Sequence, residues 1–496
     1  MSAIDPEPAS SPIVRVSDLF IGGRWVPAGT DRYIDTAEAL TGEPIARVAA
    51  ASADDARRAV DSAAEAFPVW SSLPPARRRE VLERAAELLE ARADELCAVM
   101  GAEMGATRPW CMFNVHVARG MLAEAAAQAY SAVGEVIPSD VPGLTALGIR
   151  QPAGVVVGIA PWNAPLILGV RAIAMPLVYG NTVVLKSSEQ TPCTQAAIVD
   201  VLHEAGVPAG AVNLISNAPA DAAEVVEALV AHPATARVNF TGSTRVGRVI
   251  GELAGRHLTR AVLELGGKAP LVVLPDADIE AAAAAASFGA FMNQGEICMS
   301  TERVIVDRSV GGELGRRLAE RAAKLVVGPP NDPSSQIGPL VHAGARDHVM
   351  ALIQDAREYG AQVLTGGTAD GLYVEPTVLS GVTPEMRIYT EESFGPVVSI
   401  IEADGIDDAV AKANDTEYGL SAAVFGRDGG IALDVARRIR SGICHINGAT
   451  VHDEPQMPFG GVGASGWGRF GSRAALDEFT ELRWVTMQSG ERHYPI

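Results

Sequence analysis

The sequence predicts an α/β protein that contains two α/β domains. Short apolar, β-branched runs alternate with helical segments over residues 154–240, a pattern typical of a parallel sheet covered by helices. Similar runs begin again near residue 269 and recur to residue 425, so a second sheet is expected. The chain has 496 residues, of which 48% are apolar and 20% charged, and these values are those of a globular protein with more than one domain.

The individual elements follow from the apolar periodicity. Residues 54–101 have apolar positions at helical spacing, interrupted once by Leu73-Pro74-Pro75, and predict two amphipathic helices. The first α/β series places strands at 154–160, 181–186, 212–215 and 237–240, with helices at 164–179, 193–205 and 222–230. The second series places strands at 269–274, 303–306, 361–364, 397–401 and 422–425. The boundary between the two series is expected near residues 264–267, where the sheet pattern restarts.

Charge and cysteine usage exclude several classes of protein. Sixty acidic and forty basic residues give a net charge of −20, which repels nucleic acid and anionic membranes, so neither is an expected partner. Five scattered cysteines fit a reducing compartment rather than a disulfide framework, and a cytoplasmic location is predicted. Residues 1–8 lack the basic start and apolar run of a signal peptide and are expected to form a frayed tail. No histidine-rich cluster or HExxH spacing argues for a metal, and none is predicted.

A glycine-containing turn follows the strand predicted at 237–240 and opens a helix. Its spacing, from Gly242 through Thr244 to Gly247, is G-x-T-x-x-G, whereas the standard dinucleotide fingerprint is G-x-G-x-x-G. The placement favours binding of an anion at the helix N-terminus, and a simple turn with Ser243 or Thr244 as N-cap explains the same residues.

A second candidate for cofactor binding ends the strand at 181–186. Lys186 and Glu189 lie at the carboxyl edge of the predicted sheet, where a carboxylate could accept both ribose hydroxyls of NAD and repel the 2′-phosphate of NADP. On the residues alone, a solvated ion pair explains them better.

Three further residues could carry covalent chemistry. Cys298 lies in a glycine-containing loop, where a thiolate could attack a carbonyl carbon, although buried inert thiols are commoner. Glu264 lies between leucines at a strand end, which would raise its pKa and suit a general base, unless it simply pairs with Lys268. Asn163 follows an apolar strand and could donate to an oxyanion, or could serve as a turn or N-cap residue. Cys97, Cys111 and Cys193 lie in helical patterns, and Cys444 resembles a core strand residue.

Together these segments resemble the NAD(P)-dependent aldehyde dehydrogenase superfamily. The resemblance runs from about residue 19 to residue 486 and rests on six motifs in family order: PWN (161–163), FTGST (240–244), ELGGK (264–268), GEIC (295–298), ESFGPV (392–397) and PFGG (458–461). It implies the aldehyde dehydrogenase fold, with a Rossmann-like NAD-binding domain (15–130 and 153–264) and an α/β catalytic domain (265–464). A small β oligomerisation extension (131–152 and 472–496) is implied as well, formed by a hairpin near 132–152 and the last strand near 482–487.

The resemblance also implies the role of each site residue. Cys298 attacks the aldehyde, the Asn163 amide and the Cys298 backbone N–H stabilise the oxyanion, hydride passes to NAD, and Glu264 activates the water that hydrolyses the thioester and helps to deprotonate the thiol. Lys186 and Glu189 correspond to adenosine-ribose contacts, Ser243 to a pyrophosphate contact, and Glu392 and Phe394 to the nicotinamide-ribose side. The predicted cofactor-binding set is completed by Trp162, Gly242, Gly247 and Leu265.

Several segments resemble most the family members that act on aromatic aldehydes, namely vanillin, salicylaldehyde and benzaldehyde dehydrogenases of aromatic catabolism. Arg171 is unusual because it is a cation on an otherwise apolar helix, at a position that faces the substrate tunnel in the family. We expect Arg171 to bind a ring substituent or polarise the pocket, with Trp110 and Phe459 as aromatic walls. The alternative for Arg171 is a structural salt bridge.

The predicted function is therefore oxidation of an aromatic aldehyde to its carboxylate by a cytoplasmic, NAD-preferring homodimer or homotetramer. An aliphatic aldehyde or semialdehyde is the alternative substrate, in which case Arg171 would hold a carboxylate. A CoA-acylating dehydrogenase, which would not need Glu264 as a base, and a non-catalytic protein on the same fold are the other classes considered.

Overall fold

A computed structural model describes residues 15–471 and 473–496 of the chain. The expectation of a frayed N-terminal tail therefore falls outside the described residues, as does Ser472 at the start of the predicted extension. The helices of the described part are Ala53–Ser71, Pro75–Ala91, Ala93–Met104, Arg108–Ala127, Pro165–Val178, Pro192–Ala205, Ala222–Val230, Thr244–Arg256, Ile279–Phe291, Arg308–Ala322, Ala343–Glu358, Arg387–Thr390, Gly405–Asn414, Gly429–Arg438 and Ala474–Phe479. Within the described residues, no helix combines the length and apolar character that crossing a bilayer requires.

The first large sheet has eight strands and contains the predicted parallel series. Its order is Gly466–Trp467, Arg260–Glu264, Thr235–Thr241, Val155–Ile159, Thr182–Lys186, Val212–Ile215, Leu19–Ile21 and Arg24–Val26. The five central strands are parallel, and the flanking strands pair antiparallel. Val155–Ile159 is buried along its whole length because helices cover both faces of the sheet, which explains its unbroken apolar sequence.

The strand order reverses beside Val155–Ile159. The chain first adds Thr182–Lys186 and Val212–Ile215 on one side of this strand, and then returns to add Thr235–Thr241 on the other side. At such a reversal, the loops that leave the carboxyl ends of neighbouring strands diverge and leave a crevice. Of the predicted cofactor residues, Trp162, Glu189, Gly242 and Ser243 lie on these loops and Lys186 ends one of the strands.

The helical pattern over residues 54–101 gives three helices, so the prediction of two was wrong. The predicted interruption at the prolines is confirmed, since one helix ends at Ser71 and the next begins at Pro75. The unpredicted break is at Arg92, whose φ of −98° and ψ of 16° leave the helical region. Neither glycine nor proline marks this break, and apolar residues continue at helical spacing beyond it, so the pattern gave no signal.

The second large sheet has seven strands, in agreement with the predicted second series. Its order is Gln362–Thr365, Thr377–Ser380, Val397–Ala403, Thr301–Asp307, Ala269–Val273, Ser421–Phe425 and Ile443–Ile446. All neighbouring strands are parallel except the edge strand Gln362–Thr365. Residues 265–268 connect the first sheet to the second, so the ELGGK motif lies at the passage between the two sheets.

Three smaller sheets complete the described part. An antiparallel sheet of Glu135–Ile137, Leu144–Pro152 and Thr480–Gln488, called here the arm sheet, contains the predicted hairpin and last strand. The sequence did not indicate the other two sheets, which consist of Arg15–Ser17, Pro44–Ala49 and Tyr33–Ala37, and of Ala369–Asp370 and Tyr373–Val374.

Candidate active site

A cleft of about 740 Å³ opens at the carboxyl ends of the parallel strands in the first sheet. Its lining includes Trp162, Lys186, Glu189, Gly242 and Ser243, all of which the sequence assigned to cofactor binding. Open parallel sheets bind dinucleotides at this position. The sheet topology therefore brings five separately predicted residues into one cavity.

Lys186 and Glu189 form an ion pair at the edge of this cleft. The lysine side chain is only 7% exposed and the glutamate 26%, so the pair is largely buried rather than solvated. Asn217 donates a second hydrogen bond to Glu189 Oε1, at 3.0 Å. The sequence analysis missed Asn217, although its position just after the strand Val212–Ile215 places it at the same sheet edge.

The glycine turn forms the N-terminus of the helix Thr244–Arg256. Ser243 is its N-cap, since its side chain accepts a hydrogen bond from the backbone N–H of Val246 at 3.4 Å. Gly247 packs against Leu265, because a Cβ on this glycine would lie 2.3 Å from Leu265 Cδ2. The capping explanation is thus what the structure shows, and the capped turn also lines the cleft. Gly247 and Leu265 contribute helix packing behind the lining.

Asn163 lies on the loop between the strand Val155–Ile159 and the helix Pro165–Val178. Its side chain is buried and donates one hydrogen bond to the backbone carbonyl of Glu296, at 3.1 Å. The indole N–H of Trp110 donates to the backbone carbonyl of Asn163, at 3.0 Å. Trp110 is itself buried and stacked on Phe113, so in this structure it holds the Asn163 loop in place. Its predicted role as a substrate wall stays a prediction.

Cys298 lies on a loop with an unusual backbone. Asn293, Gln294 and Gly295 have φ values of 48°, 54° and 75°, and the first two are rare conformations for residues with a side chain. The Gln294 side chain accepts from Gly338 N–H at 3.0 Å and donates to the Pro339 carbonyl at 3.2 Å, which fixes the loop against the segment 338–339. A Cβ on Gly267 would lie 2.4 Å from the Cys298 carbonyl oxygen, so glycine allows the two segments to approach.

The sequence singled out the thiol of Cys298 and the carboxylate of Glu264, and in the structure each of these groups influences the pKa of the other. Burial raises the pKa of the Cys298 thiol well above its usual range, and the charge of Glu264 raises it further. Burial also raises the pKa of Glu264 to about 7, against the lowering effects of Arg171 and Cys298. Among the residues that the structure describes, neither oxygen of Glu264 has a partner with ordinary hydrogen-bond geometry. A buried carboxylate without such a partner is poised to bind a proton or a water molecule.

Lys268 does not pair with Glu264, so that alternative was wrong. Its ammonium group binds Glu302, at 2.7 Å, and both side chains are buried. Glu302 also accepts hydrogen bonds from Ser393 N–H at 2.9 Å and from the Ser393 hydroxyl at 2.8 Å. This network, which the sequence analysis missed, anchors the ESFGPV segment.

The anchored segment places Glu392 and Phe394 near the thiol loop. Glu392 accepts a hydrogen bond from the backbone N–H of Gly267, at 2.8 Å, and burial raises its pKa to about 8. Phe394 has a φ of 48° and packs edge-to-face on Trp162, with 5.9 Å between ring centroids. Glu392 thus contacts the glycine that lies against Cys298, and Phe394 contacts a residue that lines the cleft. Their role at the nicotinamide ribose stays a prediction.

Arg171 forms a buried ion pair with Asp453, which confirms the salt-bridge alternative. The two side chains are 5% and 6% exposed. The guanidinium also lies 4.0 Å from the ring centroid of Phe459 and 5.8 Å from that of Phe470. All four residues line a narrow cavity. The salt bridge is thus also part of a cavity wall, and Asp453 was missed because a single acidic residue in a loop carries no sequence signal.

Cys97, Cys111 and Cys193 lie where the sequence placed them, whereas Cys444 lies in a strand as expected but not in the core. Cys97, Cys111 and Cys193 are buried in helices, and Cys444 is half-buried in the strand Ile443–Ile446. Cys298 is the partly buried cysteine that lies on a loop.

Comparisons with known proteins agree with this geometry. The chain matches the family model described as "Aldehyde dehydrogenase family" over residues 25–485. It is 57% identical over 478 residues to a vanillin dehydrogenase from Pseudomonas sp. (strain HR199), covering 96% of this chain and 99% of that protein. It is 40% identical over 476 residues to a benzaldehyde dehydrogenase (NAD(+)) from Pseudomonas putida, covering 95% and 96%. Among solved structures, a salicylaldehyde dehydrogenase from Pseudomonas putida G7, complexed with salicylaldehyde, matches with a TM-score of 0.95 and 42% identity, covering 97% of this chain and 100% of that chain.

Proposed function

Because the chain belongs to the aldehyde dehydrogenase family, we propose that it oxidises aromatic aldehydes to carboxylates with NAD, using Cys298 as the nucleophile. Membership confirms the resemblance found in the six motifs and makes the protein an oxidoreductase that acts on aldehydes. The observation that carries the mechanism is the pair formed by the partly buried Cys298 and the buried Glu264, near which Asn163 is held by two separate hydrogen bonds.

The first step is attack of the Cys298 sulfur on the aldehyde carbon. Burial keeps the thiol protonated, so a base must take its proton, and Glu264 is the adjacent carboxylate. The carbonyl oxygen gains the negative charge as the carbon–sulfur bond forms. The Asn163 amide has a second N–H besides the one on the Glu296 carbonyl, and this N–H together with the Cys298 backbone N–H stabilises the thiohemiacetal oxyanion.

The cleft residues fit a dinucleotide. Val226, Val249 and Leu253 line an apolar part of the cleft that suits a flat base, and the helix N-terminus at Ser243 suits a diphosphate. When bound, NAD supplies the carbon that accepts the hydride from the thiohemiacetal, which leaves a thioester on Cys298. Glu392 and Phe394 lie where they would orient the nicotinamide end.

The last step is hydrolysis of the thioester. Glu264 first releases to solvent the proton that it took from the thiol. Within the described residues its oxygens have no hydrogen-bond partner of ordinary geometry, so the ionised carboxylate can accept a proton from water. The water oxygen bonds to the carbonyl carbon, the carbon–sulfur bond breaks, and the carboxylate product and the free thiol result. Retention of this base argues against a CoA-acylating enzyme, and the complete set of Cys298, Glu264 and Asn163 argues against a non-catalytic protein.

Glu189 supports NAD as the preferred cofactor. Its carboxylate remains one-quarter exposed at the cleft although it is bound by Lys186 and Asn217. A carboxylate there accepts hydrogen bonds from ribose hydroxyls and repels a 2′-phosphate.

Asp453 supports a neutral aromatic substrate over a semialdehyde. A substrate carboxylate would need an unpaired cation in the pocket, and the charge of Arg171 is already balanced by Asp453. The rings of Phe459 and Phe470 line the same cavity and suit a flat apolar substrate. The names of the similar vanillin, benzaldehyde and salicylaldehyde dehydrogenases favour the same substrate class.

The test is NADH formation with vanillin, salicylaldehyde, benzaldehyde, hexanal and succinic semialdehyde, each with NAD and with NADP. We expect the three aromatic aldehydes and NAD to give the highest kcat/KM. Higher kcat/KM for hexanal or succinic semialdehyde would overturn the substrate proposal, and formation of acid only in the presence of CoA would overturn the hydrolytic mechanism. Glu189→Gln should narrow the preference for NAD over NADP.

We also propose that the protein is a homodimer or homotetramer and that the arm sheet forms its interface. The cytoplasmic location stays a prediction from the sequence.

A further inference from the structure

The Arg171–Asp453 pair lies in the wall of the narrow cavity described above. Thr450, three residues before Asp453, donates a hydrogen bond to the backbone carbonyl of Met299, the residue after Cys298, at 2.7 Å. The pair therefore lies near the thiol loop, and the charge of Arg171 accordingly influences the pKa values of both Cys298 and Glu264. The other cavity-lining side chains near it include Met121, Phe459 and Phe470. A mainly apolar cavity wall thus contains one buried cation and one buried anion.

Such a pair is not explained by stability. Removing two charges from water costs free energy that their attraction only partly returns, and apolar residues of similar volume often stabilise a protein equally well or better. Burial raises the pKa of Asp453, and the Arg171 guanidinium opposes this effect and favours the ionised carboxylate. A role in recognition accounts for an ionised carboxylate in this position.

The carboxylate keeps unused hydrogen-bonding capacity. Its side-chain hydrogen bond within the described residues comes from Arg171 and reaches Oδ2. Oδ1 accepts no hydrogen bond from the described residues. It is not one of the fully enclosed side-chain atoms that lack a partner, so a ligand in the cavity can reach it. An ionised carboxylate can accept about four hydrogen bonds. Oδ1 is therefore an available acceptor at the cavity wall.

We propose that Asp453 determines substrate specificity by accepting a hydrogen bond, through Oδ1, from a hydroxyl group on the aldehyde's aromatic ring. Arg171 acts as a positioning residue that fixes the carboxylate from the Oδ2 side, and Phe459 supports the guanidinium from below. This inference rests on the proposed oxidation of aromatic aldehydes and deepens it. It selects protonated phenols and disfavours rings that carry a carboxylate, since Asp453 would repel them.

The test compares substrates within each variant, so that losses common to all substrates cancel. The measured quantity is the kcat/KM for 3- and 4-hydroxybenzaldehyde divided by that for benzaldehyde. In Asp453→Asn this ratio should fall about tenfold, because a hydrogen bond to an ionised acceptor is roughly twice as strong as one to a neutral acceptor. The same ratio for 4-carboxybenzaldehyde should rise, since Arg171 loses its counter-charge.

Glu454→Gln is the matched control. Glu454 lines the same cavity, but its oxygens are bound to His452 and Gln456, at 2.9 and 2.7 Å. In this variant, the kcat/KM for the hydroxybenzaldehydes divided by that for benzaldehyde, called here the hydroxyl ratio, should equal that of the wild type. An equal fall in both variants would overturn the proposal, as would an unchanged ratio in Asp453→Asn.

A second variant keeps the proposal falsifiable if Asp453→Asn does not fold. The double substitution Arg171→Met with Asp453→Leu removes both charges and fills the wall with apolar atoms. Its hydroxyl ratio should also fall about tenfold, and a retained hydroxyl preference would contradict the proposal. If the wild type oxidises no aromatic aldehyde, the proposed function fails. If it oxidises benzaldehyde and the ratio does not respond to these variants, only the present inference fails.

Discussion

At the scale of single residues, Glu264 gives the clearest consequence for pH dependence. Burial raises its pKa to about 7, and a general base works only in its ionised form. We therefore expect kcat to rise as the pH is raised through about 7, with the slope of one ionisation. Glu264→Gln should lower kcat by about 100-fold or more and remove this acid limb, as measured by steady-state rates from pH 5 to 9.

Glu103→Gln is the control for that experiment. Burial also raises the pKa of Glu103 to about 7, but this carboxylate binds the backbone N–H groups of Cys193 and Thr194 at a helix start. The substitution should reduce stability and leave the acid limb of the folded enzyme in place. An acid limb that moves in Glu103→Gln and stays in Glu264→Gln would contradict the assignment of Glu264.

Trp110 gives a second prediction, which separates positioning from substrate contact. Trp110→Phe keeps an aromatic ring but removes the N–H that binds the Asn163 carbonyl. Loss of a partner for a buried carbonyl costs about 1–3 kcal/mol, and a displaced oxyanion donor should lower kcat about tenfold. A change confined to KM would instead favour the substrate-wall role. Trp70→Phe is the matched control because Trp70 donates to the Leu177 carbonyl at the same 3.0 Å, and it should lower Tm without lowering kcat.

How far the sequence predicts the site depends on whether a residue carries a local signal. Cys298, Glu264 and Asn163 stand beside glycine, proline or strand ends that mark a loop of special shape, so their motifs single them out. Asp453 and Glu302 carry no such mark, and their partners Arg171 and Lys268 are 282 and 34 residues away in the chain. The Arg171–Asp453 pairing depends on how the two sheets pack, and the Lys268–Glu302 pairing depends on the register of two neighbouring strands in the second sheet. Residue patterns specify neither.

At the scale of elements, the thiol loop depends on Gly295. This residue has a φ of 75°, and a Cβ there would lie 2.1 Å from the Gly395 carbonyl oxygen. Gly295→Ala should therefore shift the loop and lower the free energy of unfolding by more than about 1 kcal/mol. Chemical denaturation measures the stability, and the rate of Cys298 alkylation reports the displaced thiol.

Gly312→Ala provides the comparison for this loop. Gly312 lies inside the helix Arg308–Ala322 with open space at its Cβ position, so alanine should stabilise the protein by roughly 0.5–1 kcal/mol. Equal stability changes in the two variants would show that the backbone of the thiol loop is not constrained as the structure indicates.

The elements themselves follow from the sequence wherever burial is uniform. Strands such as Val155–Ile159 and Thr182–Lys186 are buried on both faces, so an unbroken apolar run identifies each of them within a residue or two. The short strand Gly466–Trp467 has no such run and owes its pairing with Arg260–Glu264 to the fold around it. The break at Arg92 also carries no sequence signal, because apolar residues continue at helical spacing on both sides of it.

At the scale of the whole molecule, the arm sheet is unusual because both of its faces expose apolar side chains. Leu482 and Trp484 are 56% and 74% exposed on one face, and Val136 and Met487 are 77% and 57% exposed on the other. Exposed apolar area of this kind marks a protein interface rather than a free surface. Another copy of the same chain is available to every molecule in solution, so it is the expected partner for this surface.

Trp484→Glu tests whether the arm sheet forms the proposed oligomer. A charge at the centre of an apolar interface loses its water on association without gaining a partner, so assembly should weaken by a large factor. Light scattering coupled to size exclusion should therefore show a homodimer or homotetramer for the wild type and a smaller species for the variant. Leu258→Glu is the control, because Leu258 is 94% exposed and lies outside the arm sheet, and its size should equal that of the wild type. A monomeric wild type would contradict the proposed assembly, and an unchanged mass in Trp484→Glu would place the interface elsewhere, since an interface built on this sheet would have to bury the introduced charge.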